Sequence, residues 1–99
     1  MDYRSNISST TGGVMTDEAG AVTGELEVRT VAEAGLLEVS VRYAGAEEWY
    51  TVSGSPVPLS GKEKDPMGLH GRVVARLSSP GTVVDGNEEP ASLHGLDRL

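Results

Sequence analysis

The two histidines are the side chains of this chain best suited to acid–base or metal chemistry. His70 and His94 each stand in the tripeptide Leu-His-Gly. Two imidazoles and an acid such as Asp65, Asp85 or Asp97 would make a metal site. The histidines are 24 residues apart, whereas metal ligands usually include a close pair, and a repeated tripeptide is expected by chance. We therefore expect no metal and no cofactor.

His70 is the single candidate for catalysis. A histidine base needs a nucleophile or an orienting acid, and no G-x-S-x-G sequence accompanies it. The segment SGSPVPLSGK also lacks the order of a phosphate-binding loop. We expect His70 to be a partly buried structural residue. An enzymatic or small-molecule site around it, with Tyr43, Tyr50 or an acid at a dimer interface, is the alternative.

Trp49 is the residue best suited to anchor a partner protein. Neighbouring residues of a strand point to opposite faces, so Trp49 lies on the outer face of a sheet if Tyr50 lies in the core. Leu36 and Val31 would then complete a small apolar patch around the indole. In the alternative arrangement Trp49 is buried and Tyr50 points outward.

Acidic residues dominate the charge of the chain. Fifteen acids and eight bases give a net charge of −7, which repels nucleic acid and anionic lipid. Glu25, Glu27 and Glu38 are expected on the outer face, where they solvate the sheet or meet a basic partner. The sequence shows no apolar run of membrane-spanning length and no signal peptide, so the cytoplasm is the expected location.

Period-two alternation of apolar residues predicts the sheet that positions these side chains. It is clearest in ELEVRTV (25–31) and LLEVSVRY (36–43), and weaker in EWYTVSG (48–54). An earlier strand within 6–15 is expected to form a hairpin across 16–20. Glycine-containing turns separate the segments. The pattern indicates a three- or four-stranded antiparallel meander at about residues 6–54.

A helix is predicted at about residues 66–78. Asp65 followed by Pro66 is a helix-start signal, the apolar residues that follow share one side, and SSPG provides a stop. The alternative is an all-β small sandwich or barrel in which 72–84 is a hairpin. We expect one α+β domain over 1–84, with the helix packed on one face of the meander, and a flexible or partner-docking tail at 85–99.

Three functions remain open. Scarce Ile, Lys and Phe beside abundant Gly, Ala and Val suggest a GC-rich bacterial genome. The favoured function is a small, acidic, non-enzymatic protein-interaction module, whose partner is another protein or a second copy in a homodimer. The alternatives are the His70 site above and an acidic antagonist of a basic protein, such as an immunity protein or a nucleic-acid mimic.

Overall fold

The computed structural model describes residues 2–59, 65–80 and 83–94. Within these ranges, the chain forms nine strands and one helix. In chain order they are β1 (Asp2–Ser8), β2 (Val14–Thr16), β3 (Gly20–Val22), β4 (Glu25–Glu33), β5 (Leu36–Tyr43), β6 (Tyr50–Thr51), β7 (Val57–Pro58), α1 (Pro66–Leu77), β8 (Val83–Val84) and β9 (Asn87–Glu88).

An antiparallel sheet with the order β1-β4-β5-β6 forms the body of the fold, and β7 pairs with β5 beside β6. Strands β4 and β5 form where the sequence alternates most regularly. Their inward residues are buried because one face of the sheet carries the core and the other faces solvent. The α+β meander with one helix is confirmed.

Strand β1 is the element that the alternation did not predict. It pairs with β4 along its whole length, and the hairpin β2–β3 is inserted between these two strands in sequence. The stretch 6–15 is thus divided between the end of β1 and β2. The inward residues of β1 are Tyr3, Ser5 and Ile7. Because Ser5 is polar, it interrupts the alternation of apolar and polar residues.

Helix α1 begins and ends close to the predicted positions. Pro66 is its first residue, the Leu69 amide donates to the Asp65 carbonyl, and Ser78 is the C-cap. The hairpin alternative for 72–84 is wrong, because β8 pairs with β9 instead, across an Asp-Gly turn in which both residues have positive φ. No helix in the described ranges has the length and apolarity needed to cross a bilayer.

The core lies between the sheet and α1 and extends to the residues near the C-terminal end. Ala91 and Leu93 are buried in the same cluster as the sheet residues. The Ala91 amide donates to the Gly13 carbonyl, and the Leu93 amide donates to the Ser53 carbonyl. Backbone hydrogen bonds and burial therefore anchor the predicted tail, 85–99, to the domain at Ala91 and Leu93. Positions 95–99 of that tail lie outside the described residues.

Candidate functional site

Charged side chains and one aromatic ring cover the outer face of the sheet, opposite the core. We call the central part of this surface the Trp49 face. It consists of Asp2, Arg4, Glu27, Arg29, Arg42 and Trp49. The charged members project outward because they alternate with the inward-facing residues of β1, β4 and β5.

Three guanidinium groups surround the indole of Trp49. The ring centroid lies 4.6 Å from Cζ of Arg42, 5.6 Å from Arg4 and 6.0 Å from Arg29. These distances fall within the range of cation–π attraction. Trp49 is half-buried, and the neighbouring Tyr50 packs against the core. The structure therefore places the indole on the outer face, and the arginines hold it there.

Two carboxylates order the arginines of the Trp49 face. Glu27 accepts from Nε of Arg42 at 2.7 Å, and the same carboxylate oxygen lies 2.6 Å from Nη2 in an ion pair. Asp2 accepts from Nε of Arg29 at 3.0 Å and lies 3.8 Å from Nε of Arg4. Arg4 and Arg29 are directly opposite each other in the ladder, where like charges repel. Asp2 offsets that repulsion, so the face is an ordered network of ions.

The other residues expected on this surface lie on the same face but outside the network. The Ser8 hydroxyl donates to Glu25 at 2.6 Å. Leu36, 38% exposed, pairs with Pro58 at the end of β5 remote from Trp49. Glu38 lines a surface cavity of about 270 Å³ together with Arg29, Ser40 and Thr51. The structure thus surrounds Trp49 with arginines, whereas Leu36 lies away from it.

The arginines are the residues that sequence reasoning missed. Arg4, Arg29 and Arg42 are distant in sequence, and they meet because the strand registers place Arg4 opposite Arg29 and Glu27 opposite Arg42. The alternation along each strand showed which residues face outward. It did not show how neighbouring strands are aligned, and the proximity of these side chains depends on that register.

His70 is buried between the helix and the sheet. The side chain is 7% exposed, and both ring nitrogens have hydroxyl partners. Nε2 lies 2.7 Å from Oγ of Ser5 on β1, and Nδ1 lies 2.8 Å from Oγ1 of Thr30 on β4. The ring of Tyr3 is 5.9 Å away between centroids. Because a hydroxyl both donates and accepts, the two partners satisfy a neutral imidazole.

The surroundings of His70 favour a structural role over general-base catalysis. Burial lowers the pKa of His70 and keeps the ring neutral. The Ser5–His70 pair has the spacing of a nucleophile and its base, but Thr30 occupies the place that a carboxylate takes in a hydrolase triad. A hydroxyl stabilises an imidazolium far less than a carboxylate does. The three side chains connect α1, β1 and β4.

The two histidines have different partners. His70 faces β1 and β4, whereas the backbone carbonyl of His94 accepts from Nη2 of Arg76 at 2.7 Å. In the part of the chain that the structure describes, no group of three or more His, Asp or Glu residues could hold a metal ion. Asp97, one of the acids considered for such a site, lies outside the described residues.

Comparison with known proteins gives no match for this chain. No family model fits it, and neither a curated protein nor a solved structure is significantly similar to it. The Trp49 face and the surroundings of His70 are the features from which a function can be inferred.

Proposed function

We propose that this chain is a small, non-enzymatic protein-interaction module of the bacterial cytoplasm, and that it binds its partner protein through the Trp49 face. The observation that carries the proposal is the arrangement of three arginines around one half-buried tryptophan on the solvent side of the sheet. Tryptophan and arginine are the residue types most enriched at the energetic centres of protein interfaces.

The order of this surface supports the proposal. Ion pairs and cation–π contacts hold the Trp49 and Arg42 side chains before a partner arrives, which reduces the conformational entropy lost on binding. The sheet beneath them presents the ring and the guanidinium groups on one surface. A partner that buries this surface gains apolar area from the indole and hydrogen bonds from the arginines.

The charge on the Trp49 face favours a partner of mixed charge over a strongly basic one. Three arginines lie among Asp2 and Glu27, so the excess of acid in the whole chain is absent here. An acidic antagonist would present its carboxylates free of such pairing. This observation supports the interaction module over the immunity-type or nucleic-acid-mimic alternative.

Affinity capture with matched variants tests the proposal. Immobilised wild type, Trp49→Ala and Val83→Ala are each exposed to lysate of the source cell. Val83 is 65% exposed on β8 and serves as the control apolar truncation. We expect a protein that wild type and Val83→Ala retain and that Trp49→Ala binds roughly 30-fold more weakly, the effect of losing about 2 kcal/mol at an interface centre. Equal retention by all three forms would place the partner elsewhere.

The Ser5–His70 hydrogen bond is the observation that favours an enzyme, as the second candidate function. A hydrolase of the serine type would react covalently with a fluorophosphonate at Ser5, and Ser5→Ala would remove the reaction. Because the hydroxyl is partly buried and no carboxylate orients His70, we expect wild type to remain unlabelled. Labelling of wild type that His70→Gln abolishes would support the enzymatic alternative.

A further inference from the structure

The outer edge of β1 carries backbone groups that the sheet does not use. The Ser9 amide donates to the Gly24 carbonyl at 2.9 Å, which makes Ser9 and Gly24 a hydrogen-bonded pair of the β1–β4 register. Hydrogen-bonded pairs alternate along an antiparallel ladder. The odd-numbered residues of β1 therefore bond β4, and the amides and carbonyls of the even-numbered residues point away from the sheet. These residues are Asp2, Arg4, Asn6 and Ser8.

This edge lacks most of the features that usually prevent a strand from pairing with another chain. Natural edges are short, or carry proline, bulges or charged side chains. Of these β1 has only the charges of Asp2 and Arg4, which lie on the outer face of the sheet and contact each other there. β1 has seven residues, none of them proline, and an uninterrupted register with β4. At the other side of the sheet, β2 and the segment around Ser53 continue the ladder beyond β6. Among the described residues, no strand covers the outer edge of β1.

The helix above β1 leaves apolar surface next to the same edge. Arg76 donates to the carbonyls of Ser92 and His94, so its side of α1 faces the C-terminal segment. His70 contacts Ser5 of β1 on the other side, and Met67 and Val74 follow it around the helix at helical spacing. Met67 is 64% exposed. Met67 thus adds exposed apolar surface on the side of α1 that faces away from the C-terminal segment.

We propose that the outer edge of β1 pairs antiparallel with β1 of a second copy of this chain, with Ser5 opposite Ser5 of the second copy. This arrangement joins the two sheets into one and does not depend on the function proposed for the Trp49 face. It places the Met67 side of each helix beside the dyad, where the second copy covers it.

The register follows from the backbone and the side chains. Even-numbered residues must oppose even-numbered residues, because their amides and carbonyls point outward. When the two β1 strands pair with Ser5 at the centre, all seven residues of each strand take part in the ladder. Tyr3 then lies opposite Ile7 of the second copy, and such a pair of an aromatic and a β-branched side chain stabilises a sheet. Shifting the centre to Arg4 would place two arginines directly opposite each other and shorten the ladder. The Ser5 register is therefore favoured.

A proline substitution tests the edge without disturbing the β1–β4 ladder. Asn6→Pro removes an outward amide on each copy, whereas the matched control Asn6→Thr keeps it. Sedimentation velocity should show a dimer for wild type and Asn6→Thr, and a dissociation constant roughly 10- to 100-fold higher for Asn6→Pro, because two hydrogen bonds are lost. Wild type that stays monomeric up to about 1 mM, or folded Asn6→Pro that dimerises like wild type, overturns the proposal.

Single cysteines test the register and decide the matter if Asn6→Pro does not fold. The chain has no cysteine of its own, so any disulfide must join the introduced residues. Ser5→Cys places two Cα atoms roughly 4.5 Å apart across the dyad, within disulfide range. Asn6→Cys, the control, places its pair on a diagonal of about 7–8 Å. Linkage of Ser5→Cys well above Asn6→Cys supports the proposal, and equal or absent linkage overturns it.

Discussion

The Thr30 hydroxyl and the His70 imidazole form a buried hydrogen bond of 2.8 Å that connects the central sheet to the helix. Thr30 is 1% exposed. A polar pair in this position contributes orientation as well as stability, because an apolar helix face can slide over a sheet, whereas a hydrogen bond requires one alignment.

The losses of stability from removing the two members of this pair should not add. His70→Leu leaves the Thr30 hydroxyl buried without its partner, which should lower the free energy of unfolding by about 1–3 kcal/mol. Adding Thr30→Val removes the unsatisfied hydroxyl, so the double variant should lose less than the sum of the two single losses. Urea denaturation of all four forms measures this coupling. Strict additivity would contradict an energetically significant bond.

The protonation of His70 should make the free energy of unfolding depend on pH. Burial lowers the pKa of His70 in the folded chain, so the unfolded chain binds the proton more readily. The free energy of unfolding should therefore fall as the pH decreases through about 6.5, the ordinary pKa, and level off below the folded pKa. The difference between wild type and His70→Gln between about pH 7.5 and 5.5 isolates this contribution from the carboxylates. A difference that does not change over this interval would contradict the prediction.

Trp49 and Arg42 should be coupled in the free protein. The guanidinium carbon lies 4.6 Å from the indole centroid on a partly exposed surface, which corresponds to a cation–π energy of about 0.5–1 kcal/mol. A double-mutant cycle with Trp49→Ala and Arg42→Ala, measured by chemical denaturation, should give this coupling. Trp49 is the only tryptophan, so its emission should shift to longer wavelength in Arg42→Ala as water gains access. An unchanged spectrum would show that Arg42 does not shield the ring.

Leu93 should contribute to stability as a core residue. It is 1% exposed, and truncation to Ala leaves a cavity, so Leu93→Ala should lower the free energy of unfolding by about 2–5 kcal/mol. Leu36, 38% exposed, provides the matched control, and Leu36→Ala should change stability by about 0.5 kcal/mol or less. Thermal unfolding compares the two. Similar small effects would indicate that residues 91–93 dock only weakly.

Two glycines should respond to alanine in opposite directions. Gly54 has φ 98°, and an added Cβ would lie 2.7 Å from the backbone carbon of Leu93. Gly54→Ala should therefore destabilise the fold by about 2 kcal/mol or more. Gly71 lies on the exposed side of α1 with open space around it, so Gly71→Ala should stabilise by about 0.5–1 kcal/mol. The melting temperature of Gly54→Ala should be lower than that of wild type, and the melting temperature of Gly71→Ala should be higher.

The sequence predicted elements whose patterns are local. Strands β4 and β5 follow from strict alternation, and α1 follows from Asp65-Pro66 and the apolar spacing after it. The pattern in β1 was interrupted by Ser5, a polar residue that faces inward because it bonds His70. The alternation of hydrophobic and polar residues along a strand shows on which face of the sheet each residue lies. It does not show that a buried polar side chain has a partner 65 residues away.

The candidate site was only half predictable for a related reason. The outward position of Trp49 follows from the phase of one strand, whereas its arginine neighbours come from three different strands. Their proximity depends on registers set by turns and core packing. The sequence did not indicate the burial of Leu93 for the same reason. The stretch around it is polar and contains a proline, and only two alternate apolar residues of that stretch enter the core.

The docking of residues 91–93 also determines the order in which the fold is completed during synthesis. Strands β1, β4 and β5 can pair once residue 43 has emerged from the ribosome. Val14 and Val52, both buried in the finished protein, stay incompletely covered until Ala91 and Leu93 have been translated. A nascent chain arrested between these points leaves part of the core uncovered, and apolar surface exposed in this way promotes aggregation.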